Sequence, residues 1–377
     1  MNAPMVDVRA VEAVALSVPL DTPLPASFGV MDARSTLLVR LEDAAGRSGW
    51  GEVWCNFPTF GNRHRARLVE RIVGPGLVAE GPVDPVSIGA TLERRFATLA
   101  LQTGEFGPLA QVIGGLEMAL WDLAGQAAGA PVHRLMGSTR DRVPAYASGI
   151  NPTDPAATVR AAQAEGYRAF KLKVGFGNAR DLANAAAVAG VLRPGEIFMV
   201  DANQAWDAAT AHTMSAELAA FGTAWLEEPL PADASAADWR RVAAGPVPVA
   251  GGENWRGEAR FAEALADGWL AVAQPDAGKW GGLAGGLSVA QRALGAGKRF
   301  CPHHLGGAVG LLGAAHLLAA AGGDGLLEVD CNANPLRTAL VGPLPALEDG
   351  AFVLPDAPGL GVAPDLDAMA PYRVALS

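Results

Sequence analysis

Residues 197–229 read IFMVDANQAWDAATAHTMSAELAAFGTAWLEEP. An apolar strand ends in Asp201, an alanine-rich helix follows with Asp207 as its N-cap, and a second apolar strand ends in Glu227. Strands that are apolar on both faces and alternate with helices belong to a parallel sheet. The same texture runs from about residue 140 onward. Its strand candidates are VPAYASG (143–149), AFKLKVG (169–175), IFMVDANQ (197–204), AWLEEP (224–229), VPVAGGEN (247–254), LAVAQPDAG (270–278), RFCPHHL (299–305) and GLLEVD (325–330), with further N-caps expected at Thr153 and Asn178. Eight such units predict an α/β fold closed into a (β/α)8 TIM-like barrel. Asp201, Glu227, Glu253, Asp276, His304 and Glu328 recur about every 25 residues, the size of one lean βα unit, at the strand ends where barrels of this kind build their sites.

The region before the barrel reads differently. VEAVALSVPL (11–20) and STLLVRLEDAAGRSGWGEVW (35–54) alternate as strands, with a turn at Asp43–Gly46. Helical patterns follow over His64–Ile72, Pro85–Leu99 and Pro108–Ala128, the last stopped by Gly129 and Pro131. This predicts an α+β unit over residues 1–130, a barrel over 131–340 and a terminal segment over 341–377.

The 377 residues are 50% hydrophobic and 18% charged, enough for a large core. The net charge of −10 and the lack of a basic run argue against nucleic acid or an anionic membrane as partner, whereas a small anionic substrate stays open because a bound cation reverses the local sign. Cys55, Cys301 and Cys331 are too few and too scattered for a disulfide framework, which points to a reducing cytoplasm. The N-terminus has no basic stretch ahead of its apolar part, and Gly306–Gly323 reads as a buried helix rather than a membrane span.

Side chains alternate along a strand, so Lys171 and Lys173 share one face, opposite Phe170, Leu172 and Val174. In a barrel the apolar face meets the helices and the lysines point inward, where crowding is expected to lower their pKa values toward those of a general base. Asp201, Glu227 and Glu253 end three successive strands. Three carboxylates on one rim call for a hard divalent cation, and Mg²⁺ keeps coordination positions open for substrate oxygens. Asn203, two residues after Asp201, faces the same way and is placed to hold substrate; Glu228 faces away from Glu227 and reads as structural. Of His303 and His304 only one can face inward, with Asp276 placed to fix its tautomer. Glu328, if protonated, can donate a hydrogen bond to a developing oxyanion, or else forms a buried ion pair with Lys279. The other histidines (His64, His133, His212 and His316) read as hydrogen-bonded only. The set implies removal of the acidic α-proton of a carboxylate substrate to give an enediolate, followed by reprotonation (racemisation) or loss of a β-hydroxyl (dehydration).

These residues resemble the enolase superfamily, specifically its mandelate racemase subgroup, through KLK (171–173), VDANQAW (200–206), WLEEP (225–229), GGENW (251–255), QPDAGKWGG (274–282), PHHL (302–305) and LLEVD (326–330). The resemblance implies Lys173 as base, Lys171 against the substrate carboxylate, and Asp201, Glu227 and Glu253 as Mg²⁺ ligands. It also implies His304, not His303, paired with Asp276, and Glu328 hydrogen-bonded to the enediolate. Muconate-lactonising relatives have a lysine where this chain has Asp276. The resemblance places a capping domain, built from the N-terminal region and the C-terminal tail, over the barrel mouth, with AFVLPD (351–356) as a tail strand. Its loops, about Leu20–Val30 and Trp54–Gly61, bring Phe28, Trp54, Phe57 and Phe60 toward substrate, Trp54 and Phe28 in particular. An acid-sugar dehydratase is the expected activity. The alternatives are a racemase or epimerase of a 2-hydroxy acid or cyclic amino acid, and a non-enzymatic carboxylate-binding barrel. A homo-oligomer, dimeric or octameric, is implied by the resemblance alone.

Overall fold

A computed structural model describes residues 3–26, 29–344 and 347–376. The N-terminal unit is an antiparallel sheet of β1 (Val6–Ala26), β2 (Gly29–Asp43), β3 (Ser48–Val53) and β4 (Pro82–Val83), in the order β3-β2-β1-β4. At the β2–β3 turn Asp43 Oδ1 accepts the N–H groups of Ala45 and Arg47, each at 2.9 Å, the self-satisfying turn that Asp favours. Helix α1 (Gly61–Leu68) runs through a π-turn (Val69–Val73) into α2 (Gly74–Ala79), so this helix is longer than its 64–72 pattern predicts. Next come α3 (Ile88–Thr103), which starts three residues later than expected, and α4 (Phe106–Ala128), which ends as predicted. Helix α4 lies on the sheet at close range: a Cβ on Gly51 of β3 would stand 2.0 Å from the Gly115 carbonyl oxygen, so only glycine permits this approach.

A short helix, α5 (Val132–Leu135), leads into the barrel. All eight predicted strands form: β5 (Arg142–Ile150), β6 (Ala169–Lys173), β7 (Ile197–Asp201), β8 (Thr223–Glu227), β9 (Val249–Gly251), β10 (Val272–Ala273), β11 (Arg299–Phe300) and β12 (Leu327–Asp330). The helices between them are α6 (Pro155–Ala164), α7 (Asn178–Ala189), α8 (Ala208–Ala219), α9 (Ala236–Ala243), α10 (Glu258–Ala266), α11 (Gly282–Gly295) and α12 (Ala308–Ala321). Asp207 caps α8 as expected, but α6 is capped by Asp154 rather than Thr153, and α7 starts after Gly177, with Asn178 inside it. The parallel ladder runs from β5 to β11, and β12 returns to pair with β5. Between β11 and β12 the Leu326 N–H donates to Cys301 Sγ at 3.3 Å. Inside, Tyr146, Ala169, Met199, Trp225, Ala250, Val272, Cys301 and Leu326, one from each strand region, form an apolar plug. Gly306–Gly323 contains α12, buried from Ala308 to Ala319, and no helix among the described residues is long and apolar enough to cross a membrane.

After α13 (Pro335–Thr338), β13 (Leu347–Glu348) and β14 (Ala351–Val353) form a hairpin. Of the expected AFVLPD strand only Ala351–Val353 forms, as β14, and it pairs with barrel strand β5 rather than with the cap. The chain meets the N-terminal unit further on, through Leu360 N–H to Asp122 Oδ1 (2.7 Å) and Val374 N–H to the Ala15 carbonyl (2.9 Å).

Two buried histidines join α5, α12 and this tail. His316 Nε2 donates to the Leu360 carbonyl (3.3 Å), which leaves its Nδ1 to accept from His133 Nδ1 (3.0 Å) and the His133 N–H (3.2 Å). Both rings are neutral in this pattern. Burial, then the neighbouring His133, hold His316 down to about 3. This histidine titrates near 6.5 in the unfolded chain and there binds a proton that the folded chain refuses, so the stability it contributes is complete above about pH 6.5 and is lost as pH drops toward 3. In denaturant unfolding at pH 7, His316→Gln is expected to be about 1–3 kcal/mol less stable than the wild type, and the difference should shrink toward pH 4. Parallel curves would refute this role.

Candidate active site

The plug decides which side chains face the barrel mouth. Two residues beyond its members Tyr146, Ala169, Met199, Trp225, Val272, Cys301 and Leu326 stand Ser148, Lys171, Asp201, Glu227, Gln274, His303 and Glu328, one period further along each strand. A second step from three of these gives Lys173, Asn203 and Asp276. Strand β9 breaks the alternation. Gly252 has φ +133° and packs where a Cβ would meet the Phe261 ring at 2.6 Å, and this turn brings Glu253 inward.

Lys171 is completely buried. Its Nζ bonds Glu227, lies 2.7 Å from Glu328 Oε1 and 3.8 Å from Asp201 Oδ2, and sits over the Tyr146 ring. Lys173, 22% exposed, contacts Asp201 Oδ2 at 2.5 Å and Asn203 Oδ1 at 3.3 Å. Glu253 takes Lys279 Nζ on one oxygen (2.9 Å) and His303 Nε2 on the other (2.6 Å). Glu227 also accepts from Gln274 Nε2 at 2.6 Å, and Glu328 from Ser148 Oγ at 2.5 Å.

The histidine expectation is corrected. His303, not His304, pairs with Asp276, Nδ1 to Oδ2 at 2.6 Å. His304 turns away: its Nε2 meets the Gly307 carbonyl at 3.0 Å, and its N–H donates to Glu328 at 3.2 Å. Period two explains this, since Phe300 is the apolar residue that packs toward the helices, so Cys301 and His303 must share the inner face. That signal was present in RFCPHH.

Protonation states also differ from expectation. Burial opposes the charge on both lysines, but Asp201 beside Lys173, and Glu227 and Glu328 beside Lys171, outweigh it and hold both ammonium groups above their usual range rather than below. Glu328 is not a protonated donor: burial raises it, yet Lys171 and His303 bring it down to about 2. Burial together with the crowding carboxylates instead raises Glu227 to about 7. Glu228, read as structural, is buried beside the cluster, where both its oxygens accept from Asn254 Nδ2 at 2.9 Å. Glu328 pairs with Lys171, so the alternative pairing with Lys279 does not form.

Six buried carboxylates (Asp201, Glu227, Glu228, Glu253, Asp276 and Glu328) thus face four cationic groups, Lys171, Lys173, Lys279 and His303. Three hard oxygen donors on neighbouring strand ends suit a divalent cation. Among the described residues no group of three or more His, Cys, Asp or Glu side chains is set to hold a metal ion as it stands; Lys171 bridges Asp201 and Glu227 instead. Above the cluster opens a cleft lined by Trp54, Phe57, Lys173, Asn203, Gln204, Glu253, Asn254, Lys279, His303 and Leu305. Trp54 comes from the N-terminal unit, with its backbone N–H on the Gly278 carbonyl (3.3 Å) and its ring 4.6 Å from Lys279 Nζ. Phe28 lies outside the described residues, and exposed Phe60 does not line the cleft. Sequence reading had Lys279 only as a partner for Glu328 and missed Asn254, Gln204 and Gln274. Gln274 alone was signalled, by its place two residues before Asp276.

The Mandelate racemase / muconate lactonizing enzyme N-terminal domain family matches residues 8–137, and the Enolase C-terminal domain-like family matches residues 154–368. A mandelate racemase/muconate lactonizing enzyme structure from Bordetella bronchiseptica is 49% identical, with a TM-score of 0.90 over 97% of this chain and 99% of that one. The chain belongs to the enolase superfamily, in its mandelate racemase subgroup. As in the superfamily, a capping unit sits on a (β/α)8 barrel. A D-galactarolactone cycloisomerase from Agrobacterium fabrum is 34% identical over 97% of this chain and 99% of its own length, and further relatives are D-galactonate dehydratases. A Bradyrhizobium enolase structure, complexed with magnesium and mandelic acid, is 31% identical with a TM-score of 0.86 over the whole of both chains. This member of the superfamily is an enzyme, a lyase or an isomerase.

Proposed function

We propose that the enzyme removes the α-proton of a small carboxylate substrate and expels a β-oxygen, most simply as an acid-sugar dehydratase. The observation that carries this reading is that Lys173 and His303, from the second and seventh barrel strands, line one cleft across the mouth. Asp201, Glu227 and Glu253 would hold Mg²⁺, which when bound supplies positive charge against the carboxylate as it becomes an enediolate. Were Asp201 so engaged, Lys173 would lose the partner that keeps it protonated and would serve as the base. Lys171, fixed between Glu227 and Glu328, presents charge to the substrate carboxylate from below, and Asn203 orients it.

His303 is the acid. Asp276 accepts from Nδ1 at 2.6 Å, which orients the ring and stabilises the protonated imidazole. Lys173 takes the α-proton, the α-C–H electrons become the C=C bond of the enediolate, and the β-C–O bond breaks. His303 protonates the departing hydroxyl to water, and the resulting enol tautomerises to a 2-keto-3-deoxy acid. A lactone oxygen can leave from the same position without being protonated, in line with the cycloisomerase among the relatives. Racemisation of a 2-hydroxy acid is the second reading, favoured by Trp54 and Phe57 in the cleft wall.

Product analysis by NMR of the Mg²⁺-loaded enzyme with aldonates, aldarates, their lactones and 2-hydroxy acids tests the proposal. A 2-keto-3-deoxy acid is the expected product. Stereochemical inversion without a keto product would replace elimination by racemisation.

A further inference from the structure

Glu52 does not line the cleft, yet it reaches the segment that carries His303. It lies on β3 of the capping unit, and its carboxylate is buried. It accepts from Thr36 Oγ1 on β2 (2.7 Å) and from the backbone N–H groups of Gly307 (2.5 Å) and Gly310 (2.8 Å). These two glycines lie at the start of α12, a helix with no side-chain cap of its own. The N-terminal N–H groups of a helix need an acceptor and favour negative charge, and here an acid from the other structural unit supplies both.

Small residues make this possible. A Cβ on Gly306 would stand 2.7 Å from Glu52 Oε1, and one on Gly310 would stand 2.6 Å from the His304 ring. The carboxylate and the turned-away His304 therefore share the space those glycines leave. The capping unit grips the same segment a second time, where Asn56 Nδ2 donates to the Leu305 carbonyl at 2.6 Å. Only five residues separate Cys301, locked in the barrel plug, from Gly307, locked by Glu52, and His303 is one of them.

We infer that Glu52 is a positioning residue for His303: by closing the N-terminus of α12 from the capping unit, it fixes the segment that holds the imidazole between Asp276 and Glu253. The inference rests on the proposed role of His303 as the acid. It makes correct seating of the cap a condition for that half of the chemistry, with no contact between Glu52 and substrate.

The test is Glu52→Gln, which keeps the volume but presents an NH₂ group to amide donors. The readout is the His303 Nδ1–H proton, hydrogen-bonded to Asp276, followed by ¹⁵N NMR in the full chain without substrate and assigned by its loss in His303→Asn. Its exchange with water should accelerate at least about tenfold, while the remote His316 Nε2–H proton keeps its wild-type rate. Thr36→Val, which withdraws only the hydroxyl donor, should give a smaller change in the same direction, and it decides the matter if Glu52→Gln does not fold. A wild-type His303 rate in both variants, or equal acceleration of His303 and His316, would overturn the inference. No substrate enters this readout, so failure of the wild type to act on any carboxylate would sink the proposed function separately.

Discussion

Lys173→Ala is expected to lower turnover by roughly 10²–10⁴-fold, the range for a positioned acid or base, without unfolding the chain. The side chain is partly exposed and its ammonium has Asp201 and Asn203 as partners, so truncation removes an ion pair at the cleft edge rather than a piece of core. Lys171→Ala is a different experiment. That lysine is completely buried among Glu227, Glu328 and Asp201, and its loss leaves uncompensated carboxylates in the barrel interior, which costs about 3–5 kcal/mol of stability. Thermal melts of both variants separate the two cases: Lys173→Ala should melt near the wild type, Lys171→Ala well below it. If Lys173→Ala retains full turnover, the base lies elsewhere.

The second large effect distinguishes adjacent histidines. His303→Asn removes the imidazole held by Asp276 and Glu253 and should lower turnover by roughly 10²–10⁴-fold. His304→Asn deletes a ring whose Nε2 meets the Gly307 carbonyl and takes no part in the pairing with Asp276, so turnover should stay within about tenfold of wild type. Steady-state rates of the two variants under one condition suffice, and the reverse ranking would restore the pairing that the family motif suggests.

That pair shows how far the sequence could be read. The barrel was legible because a unit of about 25 residues repeats eight times, and repetition survives errors at any single element. Asp201, Glu227 and Glu328 were legible because each lies one strand period beyond an apolar plug residue. Glu253 was legible only through its position in the repeat, since Gly252 breaks the alternation that would otherwise aim it. His303 was misjudged because motif order was preferred to strand parity, and parity is the stronger physical constraint when Phe300 must face the helices. The lysine and Glu328 protonation states could not be read at all, because they depend on distances between residues on different strands. Glu52 was invisible for the same reason: its acceptors in β3 and its donors in α12 lie more than 250 positions apart.

The central claim is α-proton abstraction by a Lys173/His303 pair, and solvent exchange in D₂O tests it most directly. With Mg²⁺ and any substrate the enzyme turns over, proton NMR in D₂O should show the α-proton lost to solvent in the wild type, with deuterium at C3 of a 2-keto-3-deoxy product, and no loss of the α-proton in the Lys173→Ala, His303→Asn double variant. Turnover that leaves the α-proton in place, or exchange that persists in the double variant, would contradict the account.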